Sequence, residues 1–171
     1  MRLLVLGFGP FGSVLDNPAE RLARAVNRAA LPGAELFGEA MPVSYRRAVE
    51  QTVHRARDLR VDWVLGVGVA TKRSAPQLER VGRAICGEVA DVDGVCGPQL
   101  TGPSEVLSSL DLDRWSAALD CEISEDAGTY VCNAWLHQVA QQLTMPVGFL
   151  HIPTAGVDPQ WLLRGLGRLL G

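Results

Sequence analysis

One cysteine stands where a helix is predicted to begin, a position typical of a nucleophile. Cys132 follows the small, flexible turn at residues 126–128 and opens an amphipathic run that ends near Leu143. The first N–H groups of a helix lack intrahelical partners, and the helix dipole favours negative charge beside them. The sequence therefore predicts a reactive thiol at Cys132, favoured there as its thiolate. The alternative is a packing cysteine, which is the commoner role of a single thiol.

A nucleophilic cysteine needs a base, and the chain has three histidines. His54 lies in the middle of a predicted helix and is expected at the surface. His137 comes five residues after Cys132 on the same helix, about 140° around its axis, so it cannot face the thiol. His151 ends an apolar strand, from which an imidazole can reach a neighbouring loop. We expect His151 to be the base, with a hydrogen-bonded core histidine as the alternative.

A third side chain must hold such a histidine in the useful tautomer, and Glu79 is the best placed carboxylate. It follows the loop after the strand predicted over residues 61–69. The alternatives are Glu88, Asp91 and Asp93. Without a role in the site, Glu79 would be interpreted as the surface partner of Arg80 or Arg83.

Composition and charge exclude several classes of protein. The chain suits one domain, residues 1–171, with 47% hydrophobic and 20% charged residues. A net charge of −3 with scattered arginines predicts no nucleic-acid partner. No apolar run approaches the roughly 18 residues of a membrane span, and residues 1–6 do not resemble a signal peptide. We therefore expect no membrane partner and a cytoplasmic protein.

The cysteines predict free thiols and no metal site. Cys86, Cys96, Cys121 and Cys132 include no C-x-x-C pair, the spacing typical of zinc or redox chemistry. In a reducing compartment all four thiols should persist. No metal or cofactor is expected.

Alternating strands and helices must position the candidate residues. Strands are predicted over residues 2–6, 34–43, 61–69, 83–92, 121–123 and 147–152. Helices are predicted over residues 18–30, 45–59, 111–119, 131–143 and 158–170, the first two capped by Asn17 and Ser44. Apolar strands followed by helices favour a single-domain α/β fold, a three-layer α/β/α sandwich with a mainly parallel central sheet.

Three segments follow strands at the edge where the chemistry of an open sheet gathers, namely residues 7–12, 69–80 and 151–155. Residues 7–12 also spell G-x-G-x-x-G, the pattern of dinucleotide-binding loops. Against that interpretation, Pro10 occupies the turn, the helix begins only at Pro18, and no acidic residue ends a strand about 20 positions later. A nucleotide-binding protein remains a remote alternative, because Phe8 and Phe11 suggest an apolar slot instead.

Five ordered blocks carry a resemblance that spans nearly the whole chain. They are GFGPFG at residues 7–12 with Asn17-Pro18, MPV at 41–43, LERV at 78–81, AGTYVCN at 127–133 and GFLHIP at 148–153. In these blocks the chain resembles the type I pyroglutamyl peptidases, also called pyrrolidone-carboxylate peptidases. The resemblance implies a cysteine exopeptidase with an α/β/α fold that removes an N-terminal pyroglutamyl residue from peptides, without a cofactor. It also implies a homo-oligomer, a dimer or a tetramer.

The resemblance further implies roles for individual residues. Cys132 would be the nucleophile, His151 the general base and acid, and Glu79 the residue that orients His151. The pocket for the lactam ring would be formed by Phe8, Phe11, Tyr130 and Val131, with Asn17 supporting the loop and backbone groups near Val69 bonding the ring amide. Pyroglutamate is an uncharged lactam, whereas a charged amino terminus would cost several kcal/mol to desolvate in such a slot. The backbone N–H of Cys132 would be the oxyanion donor.

Two departures from the family pattern bear on activity. Thr71-Lys72-Arg73 replaces a Gly-Gly-Arg sequence, and Val89 stands where the family has an arginine near the oxyanion. Arg83 or Arg73 are the candidates to replace it. The chain is also shorter than typical members. A weakly active or inactive relative that binds pyroglutamyl ends is therefore a second interpretation.

Overall fold

The computed structural model describes residues 1–12 and 14–171. In chain order its elements are β1 (Arg2–Phe8), α1 (Pro18–Val26), β2 (Glu35–Met41), α2 (Arg47–Asp58), β3 (Trp63–Val69), β4 (Gln77–Glu79), β5 (Val81–Arg83), β6 (Glu105–Leu107), α3 (Leu112–Leu119), β7 (Glu122–Ser124), α4 (Val131–Gln142), β8 (Val147–Ile152) and α5 (Pro159–Leu170). Within the described ranges, no helix is both long and apolar enough to cross a membrane.

Six strands form a central sheet in the order β2-β1-β3-β8-β4-β7. Every neighbouring pair is parallel except β4 and β8, which are antiparallel. Alternate residues of β1 enter different cores: Leu3 and Val5 pack with α1, α3 and α5, whereas Leu4 and Leu6 pack with α2 and α4. The predicted three-layer sandwich with a mainly parallel sheet is confirmed.

The order in which the chain adds strands to the sheet reverses between β1 and β3. The chain leaves β1 through α1 to reach β2 on one side, and α2 then carries it back across the other face to β3. The pairing of β1 with β3 ends at Gly7 and Val67, although β1 stays paired with β2 to Phe8. Such a switch point opens a crevice at the carboxyl ends of the strands. Phe8 and Val69 lie at its two sides.

The helix caps fix the segments beside this crevice. The Asn17 side chain accepts the Ala19 N–H at 2.9 Å and donates to the Gly9 carbonyl at 2.9 Å. It is 2% exposed. One amide therefore caps α1 and holds the loop after β1. The helix ends earlier than residue 30, because Arg28 adopts a positive φ of 58°.

The strand predicted over residues 83–92 is wrong. Of these residues only Arg83, the last of β5, lies in a strand, and the chain turns away from the sheet after β4 to pack on α4. A Cβ on Gly82 would lie 2.5 Å from the backbone nitrogen of His137, so only glycine permits β5 to approach α4 this closely. Beyond β5, residues 84–104 run as irregular chain past the start of α4. We call this segment the rim.

Candidate active site

His151 and Glu79 meet across two antiparallel strands. β4 pairs with β8 so that Leu78 lies opposite Leu150, which places the two side chains on adjacent strands. The Nδ1–H of His151 donates to Oε1 of Glu79 at 2.6 Å, since a carboxylate only accepts. His151 is 4% and Glu79 0% exposed. This contact fixes the tautomer of the imidazole and leaves Nε2 free to exchange a proton.

The Cys132 thiol lies over β3, beside the strand that carries His151. A Cβ built on Gly68 would be 2.8 Å from the sulfur, and Gly68 is the direct partner of His151 in the pairing of β3 with β8. Neighbouring strands are about 4.8 Å apart. The structure therefore brings Cys132, His151 and Glu79 to one end of the sheet.

Burial, with a smaller contribution from the charge of Glu79, raises the pKa of the Cys132 thiol to about 12. Its own backbone N–H and the Arg73 guanidinium act in the opposite direction but are weaker. The prediction of a favoured thiolate is therefore wrong for the free protein, because removing the sulfur from water outweighs the helix N-terminus.

The first N–H groups of α4 are left without partners inside the helix. The first intrahelical hydrogen bond of α4 runs from the Ala134 N–H to the Tyr130 carbonyl, so the preceding N–H groups, including that of Cys132, have no intrahelical acceptor. Val89 is 64% exposed on the rim, and its side chain has no hydrogen-bond donor. Arg83 bonds Glu105 and the Glu125 carbonyl.

The aromatic residues predicted for the pocket form two groups of touching rings. Phe8 packs on Phe149 with ring centroids 6.1 Å apart, and Phe149 packs on His151 at 5.0 Å. Phe11 packs on Tyr130 at 6.1 Å. Phe8 is 2% exposed, whereas Phe11 is half-buried.

Val131 and Val69 are placed differently from one another. Val131 is buried in the core on the α4 side. Val69 ends β3 and is half-buried, and its neighbour Ala70 donates to the Ile152 carbonyl at 3.0 Å. The pairing with β1 has ended before Val69. Its backbone therefore borders the crevice.

The other candidates lie elsewhere. His54 is exposed, as predicted. His137 is buried with Nε2 2.7 Å from the Pro103 carbonyl oxygen, so it does not face the Cys132 thiol, as also predicted. Asp91 accepts the Tyr45 N–H, and Asp93 pairs with Arg47. All four cysteines are free thiols. Across the described part of the chain, no group of three His, Cys, Asp or Glu side chains could hold a metal ion.

Three further residues shape the site: Gly68 and Asn133, which sequence reasoning did not assign, and Arg73, which it considered only as a replacement for the missing arginine. Gly68 makes room for the sulfur, and its place in the apolar strand VLGVGV was the available signal. Asn133 accepts the Arg83 N–H at 2.7 Å and donates to the Arg83 and Ile85 carbonyls at 2.9 and 2.8 Å, which holds the rim on α4. Arg73 bonds Glu79, a contact that no local sequence pattern predicts.

Comparison with known proteins gives a consistent result. The profile of a family described as pyroglutamyl peptidase matches residues 1–160. The pyrrolidone-carboxylate peptidase of Pyrococcus furiosus is 30% identical over 183 residues, covering 98% of this chain and 86% of that protein. The Vibrio vulnificus strain YJ016 protein of the same name is 33% identical over 167 residues, covering 89% and 78%. The solved structure of pyrrolidone carboxyl peptidase from Thermococcus litoralis shares the fold, with a TM-score of 0.86 at 22% identity over 98% of this chain and 90% of that chain.

Proposed function

The chain belongs to the pyroglutamyl peptidase family, and on that premise we propose that it is a cysteine exopeptidase that hydrolyses the N-terminal pyroglutamyl residue from peptides. One observation carries the proposal. The Cys132 sulfur lies over Gly68, the strand partner of His151, while Glu79 holds Nδ1 of His151 at 2.6 Å. This is the order of nucleophile, base and orienting group that acyl transfer requires. Residues 1–171 would act as one catalytic domain.

In the first half of the reaction, the sulfur of Cys132 attacks the carbonyl carbon of the pyroglutamyl residue. The thiol proton passes to Nε2 of His151 in the same step, because the high pKa of Cys132 leaves little thiolate beforehand. The carbonyl oxygen becomes an oxyanion that accepts the Cys132 N–H. Losing one such donor typically costs about 2.7 to 4 kcal/mol. Glu79 stabilises the imidazolium that forms.

In the second half, His151 returns its proton to the leaving amine, and the carbon–nitrogen bond breaks to release the shortened peptide. A thioester between Cys132 and pyroglutamate remains. Water then attacks the thioester, with His151 accepting a water proton and passing it to the departing sulfur. Free pyroglutamate and the original thiol result. Every proton transfer uses Nε2, because Nδ1 stays bonded to Glu79.

Substrate selection would follow from the crevice between β1 and β3. We place the flat lactam ring there, against the aromatic groups of Phe8, Phe11 and Tyr130, with Val131 behind them. Backbone groups at Val69, beyond the last pairing with β1, would bond the ring amide. An uncharged lactam can enter such a site, whereas a protonated amino terminus would lose its hydration without a compensating charge.

The protein's compartment and assembly are part of the proposal. A cytoplasmic location suits the four free thiols, because a reducing compartment keeps a thiol nucleophile active. A homo-oligomer, a dimer or a tetramer, would be the working form. Peptides with pyroglutamyl ends are the proposed partners, and neither nucleic acid nor a membrane is needed.

The direct test is release of naphthylamine from pyroglutamyl-naphthylamide by the purified protein. Prolyl- and alanyl-naphthylamide serve as substrate controls, and the Cys132→Ala variant serves as the enzyme control. We expect turnover of the pyroglutamyl compound alone, and none in the variant. Equal turnover of all three compounds, or an active Cys132→Ala variant, would reject the proposal.

Exposure of Val89 supports a second candidate, a member of the family that binds pyroglutamyl ends with little turnover. Val89 is exposed on the rim, and its side chain has no donor to offer an oxyanion. Calorimetry with pyroglutamyl-alanine separates the two functions. Binding without hydrolysis would favour the second candidate, and turnover would exclude it.

A further inference from the structure

Arg73 is more firmly held than a surface arginine. Its guanidinium Nη1 lies 2.5 Å from Oε1 of Glu79. Its Nη2 donates to the Ser124 hydroxyl at 2.9 Å and to the Asp126 carbonyl at 2.7 Å. The side chain is 18% exposed. Three acceptors on two segments, β4 and the chain from the end of β7 onward, therefore fix one planar group, which is the geometry that arginine fits and lysine does not.

The positive charge of Arg73 compensates the buried negative charge of Glu79. The carboxylate is fully buried, and none of the described residues forms a hydrogen bond with its second oxygen, Oε2. Both its contacts, the His151 N–H and the guanidinium, converge on Oε1. A buried carboxylate is costly unless a charge compensates it. A neutral imidazole donates one hydrogen bond, whereas the guanidinium supplies a permanent positive charge.

We propose that Arg73 is a positioning residue of the reaction, which keeps Glu79 ionised with Oε1 aimed at Nδ1 of His151. The proposal rests on the proposed function and deepens it. Through the Asp126 carbonyl, the same guanidinium bonds the turn that leads into α4 and Cys132. Arg73 thus connects the carboxylate end of the site with the segment that carries the nucleophile. It occupies the Glu79 side and does not replace the arginine absent at Val89.

The charges around His151 predict how removal of Arg73 would act. Glu79 faces the imidazole from β4, Arg73 faces Glu79 from the β3–β4 connection, and Cys132 comes from α4. On the β7–α4 connection, the Asp126 carboxylate accepts the Gly128 N–H. Without the guanidinium, a neutral His151 would leave Glu79 as an uncompensated buried charge. His151 and Glu79 together would therefore keep the imidazolium proton up to a higher pH.

The first test compares kcat/KM across pH 5 to 9 for Arg73→Met, Arg73→Lys and the control Arg80→Met. Arg80 adjoins Glu79 in sequence but pairs with Glu125 at the surface. We expect Arg73→Met to lower kcat/KM by roughly 10- to 100-fold, the size of loss seen when the hydrogen-bonded partner of a metal ligand is removed. Its acid limb should also move to higher pH. Compared with Arg73→Met, Arg73→Lys should bring the acid limb back toward its wild-type pH more fully than it restores kcat/KM. Arg80→Met should match wild type in both.

The second test is independent of turnover. The His151 ring proton signal is followed by NMR against pH in wild type and Arg73→Met, and is assigned by its loss in His151→Gln. We expect the midpoint in Arg73→Met to rise by about one pH unit or more. An unchanged midpoint in a folded variant overturns the proposal, as does a pH-independent loss of kcat/KM. If wild type lacks pyroglutamyl turnover, the proposed function fails while the NMR comparison still decides the role of Arg73.

Discussion

At the residue scale, Gly68 is the position where one added methyl group would meet the nucleophile. A Cβ there would be 2.8 Å from the Cys132 sulfur and 3.0 Å from Cζ of Phe149. We expect Gly68→Ala to displace the sulfur and to lower kcat/KM by about 100-fold, a loss that a 1 Å misplacement can cause.

The control for this substitution is Gly167→Ala in α5, where the nearest atom to an added Cβ is 3.7 Å away. It should keep wild-type kcat/KM in the same naphthylamide assay. Wild-type kinetics in a folded Gly68→Ala protein would show that the sulfur does not depend on this space.

The protonation of Cys132 can be measured directly. Because its pKa is raised to about 12, the free protein should hold a thiol at neutral pH, and alkylation by iodoacetamide should accelerate steadily between pH 8 and 11. Peptide mass spectrometry would give the rate at Cys132, with the exposed Cys96 as a reference for the reagent. A Cys132 rate that is already maximal at pH 7 would show a preformed thiolate.

The residue scale is also where sequence reasoning named most of the side chains that the structure brings together. Cys132 and His151 could be selected because a helix start and a strand end are visible in local patterns. Glu79 was selected only as the best of several acids, since its contact with His151 joins residues 72 positions apart. Arg73 could not be assigned a partner, because its three contacts depend on how β4 and β7 enter the sheet.

At the element scale, Asn17 serves α1 and the loop after β1 together. We expect Asn17→Ala to lower the free energy of unfolding by about 1 kcal/mol, as loss of an N-cap does, and also to raise KM because the Gly9 carbonyl loses its donor. Asp158→Ala is the matched control, since Asp158 caps α5 through the Gln160 N–H. It should lose similar stability in urea unfolding with an unchanged KM. If Asn17→Ala and Asp158→Ala had the same KM, the loop after β1 would have no part in substrate binding.

Long elements were predictable and short ones were not. The strand over residues 147–152 matches β8 because six consecutive residues are buried, and the helix of Cys132 begins at Val131 within the predicted range. β4 and β5 each have three residues, too few to show a period. β4 is placed by its pairing with β8 and β7, and β5 by its pairing with β6 and its packing on α4. The local sequence predicted a strand only from the last residue of β5 onward, over residues 83–92.

At the scale of the whole molecule, buried thiols make stability depend on alkaline pH. Burial raises the pKa of Cys132 to about 12, that of Cys121 to about 11, and that of Cys86 above its ordinary value. Below about pH 8 these thiols are protonated in both the folded and the unfolded state. Above it, the unfolded chain releases protons that the folded protein retains, so the free energy of unfolding falls as pH rises.

Each thiol can contribute at most about 1.4 kcal/mol per pH unit to this slope. Urea unfolding at pH 8, 9.5 and 10.5 would measure it, and Cys121→Ala should flatten it. Buried Tyr45 acts in the same direction, because burial also raises its pKa. A free energy of unfolding that stays constant from pH 8 to 10.5 would contradict the assignment.

The contact of Asn133 with the rim links access to chemistry. Asn133 directly follows Cys132 in the first turn of α4 and makes three hydrogen bonds to Arg83 and Ile85. A bulky leaving peptide that pushes the rim outward would therefore pull on the same helical turn that aims the sulfur. Discrimination between short and long peptides would then appear as a change in kcat at saturating substrate, with binding little affected.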